Sequence, residues 1–267
     1  MELARAKINL ALHVTGVTEN GYHVLDSLVA FADIGDELFI ERADTPSLTL
    51  EGPFAATLDA GPENLVLRAA EMMSAPYVTI RLVKNLPVAS GIGGGSADAA
   101  ATIRGLCKLF DLSQPSGDAV ARLGADVPVC LFNQACRMAG IGDVITPLAL
   151  AQPWHAVLVN PGVAVSTEEV FAALDEKSNF PMPAEMDLSI DGLGNMRNDL
   201  EAPALRIFPD IERVLNALTS AGAGLSRMSG SGATCFGLFS NGEQAAHAAT
   251  EISAKNPNWW VQPTILS

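Results

Sequence analysis

Apolar residues alternate with polar ones, or run continuously, over most of the first 43 residues. The segments KINLALHV (7–14), HVLDSLVAFADI (23–34) and DELFIERA (36–43) have the length and composition typical of strands. Between them, ENG (19–21) and IGD (34–36) contain the turn-forming residues Gly, Asn and Asp. The pattern therefore predicts three consecutive strands separated by two turns.

After residue 60 the apolar residues often recur at helical spacing. One predicted helix is 62–75, with Pro62 and Glu63 in its first turn. Further helices are predicted from Ser96 and at 116–123, 167–174, 198–222 and 242–255, and further strands at 77–86, near 154–162, on both sides of a turn within 225–239, and at 259–266. Strands cluster at the start and no strict strand–helix alternation develops, so the predicted fold class is α+β.

Composition narrows the classes of partner. The chain has 267 residues with a net charge of −14, and such an acidic field repels a phosphate backbone, so no nucleic-acid partner is expected. No window reaches the roughly 18 uninterrupted apolar residues of a membrane span, and no signal-peptide cleavage pattern follows the N-terminus. We expect a cytoplasmic protein without a membrane partner. The four cysteines have no CxxC spacing, which predicts neither a disulfide framework nor a metal site.

The segment NLPVASGIGGGSADAAATIRG (85–105) is the strongest chemical signal in the chain. Four of the five residues from Gly91 to Gly95 are glycine, and they lie between a predicted strand and a predicted helix. The free N–H groups and the dipole of a helix N-terminus favour anions, and glycine lets phosphate oxygens approach the backbone. The pattern matches neither a Walker P-loop nor the Rossmann fingerprint. A tight turn that only packs a helix on a sheet is the simpler alternative.

Three motifs in order resemble the GHMP kinase superfamily, named for galactokinase, homoserine kinase, mevalonate kinase and phosphomevalonate kinase. They are AKINL (6–10), PxxxGxGGGS (87–96) and SGSGAT (229–234), and they span most of the chain. The resemblance implies a two-lobed α+β GHMP kinase fold with a ribosomal-protein-like N-terminal lobe and a ferredoxin-like C-terminal lobe. We expect domains at 1–150, containing the phosphate loop, and at 151–267.

Further motifs narrow the resemblance to one branch, which phosphorylates a cytidine diphosphate-linked polyol in the non-mevalonate route to isoprenoid precursors. These are GYH (21–23), LGADVPVCL (123–131), PGVAVSTEEVF (161–171) and NDLE (198–201). The resemblance implies that Lys7 and Asp126 flank the substrate hydroxyl as catalytic residues. From the residues alone, a solvated strand-edge lysine and an N-cap aspartate are the more ordinary interpretations.

The resemblance also assigns the substrate-binding residues. Tyr22 is expected to stack on the cytosine ring, His23 to hydrogen-bond to it, and Phe171 to close the sandwich from the other side. Asn9 and Thr167 are expected to bind the polyol end. Taken alone, His23 and Phe171 are more often core residues.

ATP is the phosphoryl donor that the resemblance implies, and Mg²⁺ is expected with it. The ATP-binding residues are expected to be Asn64, Leu65, Lys84, Pro87, Val88, Ala89, Ser90, Gly91, Ile92, Gly93, Gly94, Gly95, Ser96 and Ala97. Ser96 and Asp98 are candidate magnesium ligands, and no ligand is assigned. Many relatives have Ser and Asn where this chain has Ala97 and Asp98, and a carboxylate there would repel a triphosphate unless an ion or water intervenes.

Three hypotheses about function remain open from the sequence. The first is the kinase for the cytidine diphosphate-linked polyol, acting as a monomer or homodimer. The second is a GHMP kinase for another small alcohol such as homoserine or mevalonate, which would not need the Tyr22, His23 and Phe171 set. The third is a non-catalytic ligand or RNA binder on the same fold, which the acidic charge and the presence of both Lys7 and Asp126 disfavour.

Overall fold

The structure is a computed structural model that describes all residues from 1 to 267. Its strands are β1 (Glu2–Val17), β2 (His23–Arg42), β3 (Ser47–Glu51), β4 (Val78–Val83), β5 (Cys136–Gly140), β6 (Val144–Pro147), β7 (Trp154–Asn160), β8 (Leu225–Met228), β9 (Cys235–Phe239) and β10 (Trp260–Leu266). Its α-helices are α1 (Leu65–Met72), α2 (Gly94–Phe110), α3 (Gly117–Ala121), α4 (Val127–Phe132), α5 (Thr167–Ala172), α6 (Ile190–Gly194), α7 (Glu201–Ile207), α8 (Asp210–Ser220) and α9 (Gly242–Lys255), with a 3₁₀ turn at Ala55–Thr57.

The chain divides into two compact units, and neither is continuous in sequence. The first unit comprises residues 1–7, 34–88 and 93–133. The second comprises residues 8–33, 89–92 and 134–267. The predicted domain boundary at residue 150 stays a prediction.

The first unit packs helices on a small sheet. In it β4 pairs antiparallel with residues 37–42 of β2 and parallel with β3. Burial alternates strictly along β4, so Ile80 and Leu82 face the core while their neighbours are partly exposed. Helix α2 contacts both α1 and α4, and its residues Ile103 and Leu106 are fully buried. This packing fixes the end of β4 and the start of α2, the two attachment points of the glycine loop.

The second unit contains an antiparallel sheet in the order β10, β7, β9, β8. β7 is buried along most of its length, as its continuous apolar sequence predicts. Helices α8 and α9 pack on these strands, and Leu218 and Ile252 belong to the same core as Val157 and Val159. In the same unit, residues 25–29 of β2 pair with β5, which forms a hairpin with β6.

The predicted turn at IGD (34–36) is wrong, because β2 runs straight through it. Gly35 serves a close backbone approach: a Cβ there would lie 2.2 Å from the carbonyl oxygen of Ala4. Asp36 is fully buried, and its Oδ1 accepts the backbone N–H groups of Asn85 and Leu86. Gly35 and Asp36, although typical of turns, therefore make contacts between β2 and neighbouring backbone and do not reverse the chain.

The single helix predicted at 198–222 is two helices, α7 and α8. Pro209 separates them, because it lacks an N–H and disfavours helical backbone at Phe208 before it. The helix predicted at 62–75 begins at Leu65, after Asn64 accepts the N–H of Val66 as N-cap. The elements β3, β5, β6, α4 and α6 were not predicted; each has only four to six residues, too few for a clear period. The α+β class itself is confirmed.

Candidate active site

Lys7 and Asp126 form an ion pair in the first unit. The distance from Lys7 Nζ to Asp126 Oδ2 is 3.0 Å. Lys7 is only 4% exposed, so it is not a solvated edge lysine. Asp126 occupies the N-cap position of α4, yet its side chain accepts no capping hydrogen bond. The interpretation of Lys7 as a solvated edge residue is therefore wrong. Asp126 lies at the predicted N-cap position but forms no cap, and its side chain remains 38% exposed and open to a substrate.

The start of helix α2 lies against the same lysine. Its N-cap, Gly93, has a left-handed backbone with φ of +67°, and a Cβ there would lie 3.2 Å from Lys7 Cε. No side chain caps the helix. Its first backbone hydrogen bond between residues four apart runs from the N–H of Ala97 to the carbonyl oxygen of Gly93. The N–H groups of residues 94–96 precede it, so they form a helix N-terminus suited to an anion.

Lys84 lies at the opposite attachment of the loop and is buried with two carboxylates. Its Nζ donates to Oδ2 of Asp36 and to Oδ2 of Asp98, the latter at 2.7 Å. Burial opposes the charge on Lys84, but the two carboxylates outweigh it and raise the pKa of its ammonium. Its predicted place in the adenine pocket stays a prediction, and this burial argues against a direct contact between the ammonium and the base.

In the second unit, residues 89–91 of the glycine loop contact the Gly/Ser turn at 229–234. Ser229 Oγ donates to the carbonyl oxygen of Gly91 and accepts the backbone N–H of Asn9, both at 3.1 Å. Thr234 N–H donates to Ser90 O. The three motifs that carried the family resemblance thus meet at Ser229. The Nδ2 of Asn9 donates to Ser27 Oγ at 2.7 Å, so this amide is already fixed in orientation.

His23 and Phe171 are in direct ring contact in the second unit. Their centroids are 4.6 Å apart with an interplanar angle of 33°. Burial, and secondarily the charge of Lys177, lowers the pKa of His23. Its Nε2 is buried and has no hydrogen-bond partner. Tyr22 is 65% exposed. Because no base fits between His23 and Phe171, the predicted sandwich depends on Tyr22 and Phe171 alone.

Thr167 is the first residue of α5 and is exposed. Its hydroxyl lies 2.9 Å from Ser231 Oγ. Ser166 caps this helix by accepting the N–H of Glu169. The Thr167 hydroxyl is therefore held at a fixed position at the start of the helix, next to the Gly/Ser turn.

Two family models match the chain. The model described as GHMP kinases N terminal domain matches residues 64–148, and the model described as GHMP kinases C terminal matches residues 185–258. A protein from Cereibacter sphaeroides named 4-diphosphocytidyl-2-C-methyl-D-erythritol kinase is 52% identical, over 97% of this chain and 96% of its own length. A protein of the same name from Ruegeria pomeroyi is also 52% identical, over 96% of this chain and 95% of its own length.

The chain belongs to the 4-diphosphocytidyl-2-C-methyl-D-erythritol kinase family. A crystal structure titled 4-(cytidine 5′-diphospho)-2C-methyl-D-erythritol kinase agrees with a TM-score of 0.85 at 34% identity, over 100% of this chain and 99% of the other. The structure of mevalonate kinase from L. major with R-mevalonate gives a TM-score of 0.68 at 16% identity, covering 100% and 95%, which shows the shared fold. The GHMP kinase fold and a small-molecule kinase activity are thereby confirmed.

Two nucleotide-binding residues expected from the family have local structural roles. Asn64 caps α1, and its Nδ2 donates to Asp59 O at 2.8 Å. Leu65 Cδ1 would lie 3.5 Å from a Cβ on Gly95, which places Leu65 beside the start of α2. Both assignments to the nucleotide site stay predictions. The position of Leu65 beside the start of α2 agrees with its assignment better than the local hydrogen bonds of Asn64 agree with that of Asn64.

The residues present do not form a protein-made magnesium site. Asp98 is 4% exposed and bonded to Lys84, so it is not an open ligand. No group of three or more His, Cys, Asp or Glu side chains is arranged to hold a metal ion. Ser96 offers one hydroxyl, which is less than a magnesium ion requires from protein alone.

Sequence reasoning missed Asp36, Ser229 and Ser231 as individual residues of the site. Ser229 and Ser231 were within the recognised SGSGAT motif, which was the available signal. Asp36 was not assigned a role, because IGD was interpreted as a turn.

None of the helices combines the length and the hydropathy that crossing a bilayer requires.

Proposed function

We propose that this chain transfers the γ-phosphoryl group of ATP to the 2-hydroxyl of 4-diphosphocytidyl-2-C-methyl-D-erythritol, in the non-mevalonate route to isoprenoid precursors. The observation that carries the proposal is the ion pair of Lys7 and Asp126, 3.0 Å long, beside the uncapped N-terminus of α2. Family membership supplies the substrate, since the 52% identical relatives bear that kinase's name.

Asp126 is the proposed proton acceptor. The substrate hydroxyl oxygen attacks the γ-phosphorus, the bond from this phosphorus to the β,γ-bridging oxygen breaks, and ADP leaves. The hydroxyl proton passes to a carboxylate oxygen of Asp126. The Lys7 ammonium holds Asp126 in place and neutralises negative charge on the transferred group. Its 4% exposure strengthens this electrostatic effect, because little water screens it.

The phosphates of ATP are proposed to bind the loop 87–97. The N–H groups of residues 94–96 donate to phosphate oxygens, and the helix dipole adds positive potential. Gly93 keeps the backbone close to Lys7, where a side chain would intrude. Mg²⁺ is proposed to be held mainly by phosphate oxygens.

The cytosine ring is proposed to bind at Tyr22, His23 and Phe171, and the polyol at Asn9 and Thr167. His23 carries the base specificity. Its lowered pKa keeps the imidazole neutral, so Nε2 accepts a hydrogen bond when the proton is on Nδ1. The exocyclic amino group of cytosine is a donor that satisfies this buried nitrogen, whereas uracil presents a carbonyl there. The proposed setting is the cytoplasm, with the chain as a monomer or homodimer and no nucleic-acid partner.

The test is ADP release with Mg-ATP and, separately, 4-diphosphocytidyl-2-C-methyl-D-erythritol, homoserine or mevalonate. We expect turnover of the cytidyl substrate alone, with kcat reduced by about 10²–10⁴-fold in Asp126→Ala, because the proton acceptor is lost. Asp210→Asn is the control, since it removes a carboxylate from an exposed ion pair on α8. Turnover of homoserine or mevalonate would refute the substrate, and an unchanged kcat in Asp126→Ala would refute the mechanism.

A further inference from the structure

Three charged side chains are buried together at the base of the phosphate loop. The side chains of Asp36, Lys84 and Asp98 are 0%, 3% and 5% exposed. They come from β2, from the residue after β4 and from α2. Lys84 Nζ contacts a carboxylate oxygen of each aspartate, so one ammonium serves two carboxylates.

The contacts of this group join the two ends of the loop. Asp36 Oδ1 accepts the N–H groups of Asn85 at 2.6 Å and Leu86 at 2.9 Å, which lead into the loop. Lys84 bridges from Asp36 to Asp98, which lies in α2 just after the loop. A Cβ on Gly94 would lie 3.5 Å from Lys84 Nζ, so the ammonium lies directly against the first residue of the helix.

This arrangement is costly for a purely structural role. Burying charges carries a large desolvation penalty, and apolar residues of similar volume often stabilise a core as well or better. The group contains two carboxylates, of Asp36 and Asp98, and only one ammonium, of Lys84, so one negative charge is not balanced when both aspartates are ionised. Burial, only partly offset by Lys84, raises the pKa of Asp98 to about 7, and Asp36 adds to the rise. The second oxygen of Asp98, Oδ1, has no hydrogen-bond partner.

We propose that Asp98, acting through its hydrogen bond to Lys84, is a positioning residue that holds the start of α2 in the geometry that binds the phosphates of ATP. The proposal rests on the proposed function for its ligand. It assigns Asp98 no contact with ATP: the residue sets where the N–H groups of residues 94–96 point. It also explains why a carboxylate at this position does not exclude a triphosphate, because its nearest cation is Lys84 and its side chain is buried.

The test compares Asp98→Ala, which removes the acceptor, with Asp98→Asn, which keeps an oxygen for Lys84. Binding of the non-hydrolysable analogue AMPPNP with Mg²⁺ is measured by calorimetry, and hydrogen exchange is followed in the peptide covering 93–98. Lys108→Met is the matched control, because it breaks an ion pair with Glu2 at the other end of the same helix.

We expect Asp98→Ala to weaken AMPPNP binding roughly tenfold, about the loss of one hydrogen bond to a charged group, and to speed exchange at 93–98. Asp98→Asn is expected to bind at least as tightly as wild type, and Lys108→Met within about twofold of it. The acceptor KM stays unchanged in Asp98→Ala.

Three results would overturn the inference. In the first, Asp98→Ala melts at a lower temperature but binds AMPPNP like wild type, which identifies a structural role only. In the second, Asp98→Asn binds AMPPNP as weakly as Asp98→Ala, so a hydrogen-bond acceptor facing Lys84 is not sufficient and the hydrogen bond is not what positions the loop. Both leave the proposed kinase function intact. Failure of the wild type to bind AMPPNP would remove the proposed function together with the inference.

Discussion

The first unit contains two lysine–aspartate arrangements that differ in what surrounds them. Lys7 faces one carboxylate, and that carboxylate is 38% exposed. Lys84 faces two carboxylates, and neither exceeds 5% exposure. The open aspartate is available to a substrate, whereas both buried aspartates accept from Lys84 and Asp36 also accepts two backbone N–H groups. We propose that the same ion types support catalysis at one place and loop geometry at the other, and access to solvent distinguishes them.

The largest effect is expected from removing the buried cation. Lys84→Met leaves two buried carboxylates without a counter-charge, and we expect the free energy of unfolding to fall by about 3–5 kcal/mol. Urea denaturation followed by circular dichroism measures this. The exposed pair of Asp210 and Arg213 provides the baseline, since Asp210→Asn is expected to cost less than about 0.5 kcal/mol. Equal losses in both variants would remove the distinction between buried and exposed groups.

Removing the other lysine should affect catalysis more than folding. Lys7→Met is expected to reduce kcat by about 10²–10³-fold, because charge on the transferred phosphoryl group is no longer neutralised. Its partner Asp126 keeps access to water, so we expect a smaller loss of unfolding free energy than in Lys84→Met. Steady-state kinetics measure kcat, and urea denaturation of the same preparation measures the free energy of unfolding. A Lys7→Met protein with normal kcat would contradict the catalytic role of the pair.

A third expected effect is a pH dependence of stability that comes from Asp98. An acid whose pKa rises on folding binds its proton more tightly when folded. Its contribution to stability therefore falls as pH rises from its ordinary pKa of 3.8 towards about 7. Asp98→Asn should be more stable than wild type near pH 8, with the advantage disappearing near pH 4. Differential scanning calorimetry across this range tests it. A constant difference in Tm would show that Asp98 does not titrate between these values.

The sequence contained enough information to identify the open pair but not the buried group. The family resemblance of the motifs that contain Lys7 and Asp126 implied that these residues flank one hydroxyl, and their side chains lie 3.0 Å apart. Asp36 was read as part of a turn, because turn-forming residue types do not reveal that Gly35 permits a close backbone contact. Lys84 was assigned to a nucleotide pocket from the family resemblance. Its two carboxylate partners are 48 and 14 residues away in sequence, so no local pattern indicated the buried group.

Local signals predicted long elements better than short ones. Helix α9 and strands β7 and β10 were predicted close to their observed bounds, because each has a sustained period or a continuous apolar run. The four-residue β6 has neither, and it forms only through pairing with β5. The rings of His23 and Phe171 are in contact although the two residues are 148 positions apart in sequence (171 − 23). The local sequence around neither residue indicates that contact.

The most direct test of the central claim is the identity of the product. Wild-type protein is incubated with Mg-ATP and 4-diphosphocytidyl-2-C-methyl-D-erythritol, and the products are followed by phosphorus and carbon NMR. We predict one new phosphomonoester on the 2-hydroxyl carbon, formed in equal amount to ADP. Inorganic phosphate in place of this ester, or a phosphate on a different hydroxyl, would contradict the account.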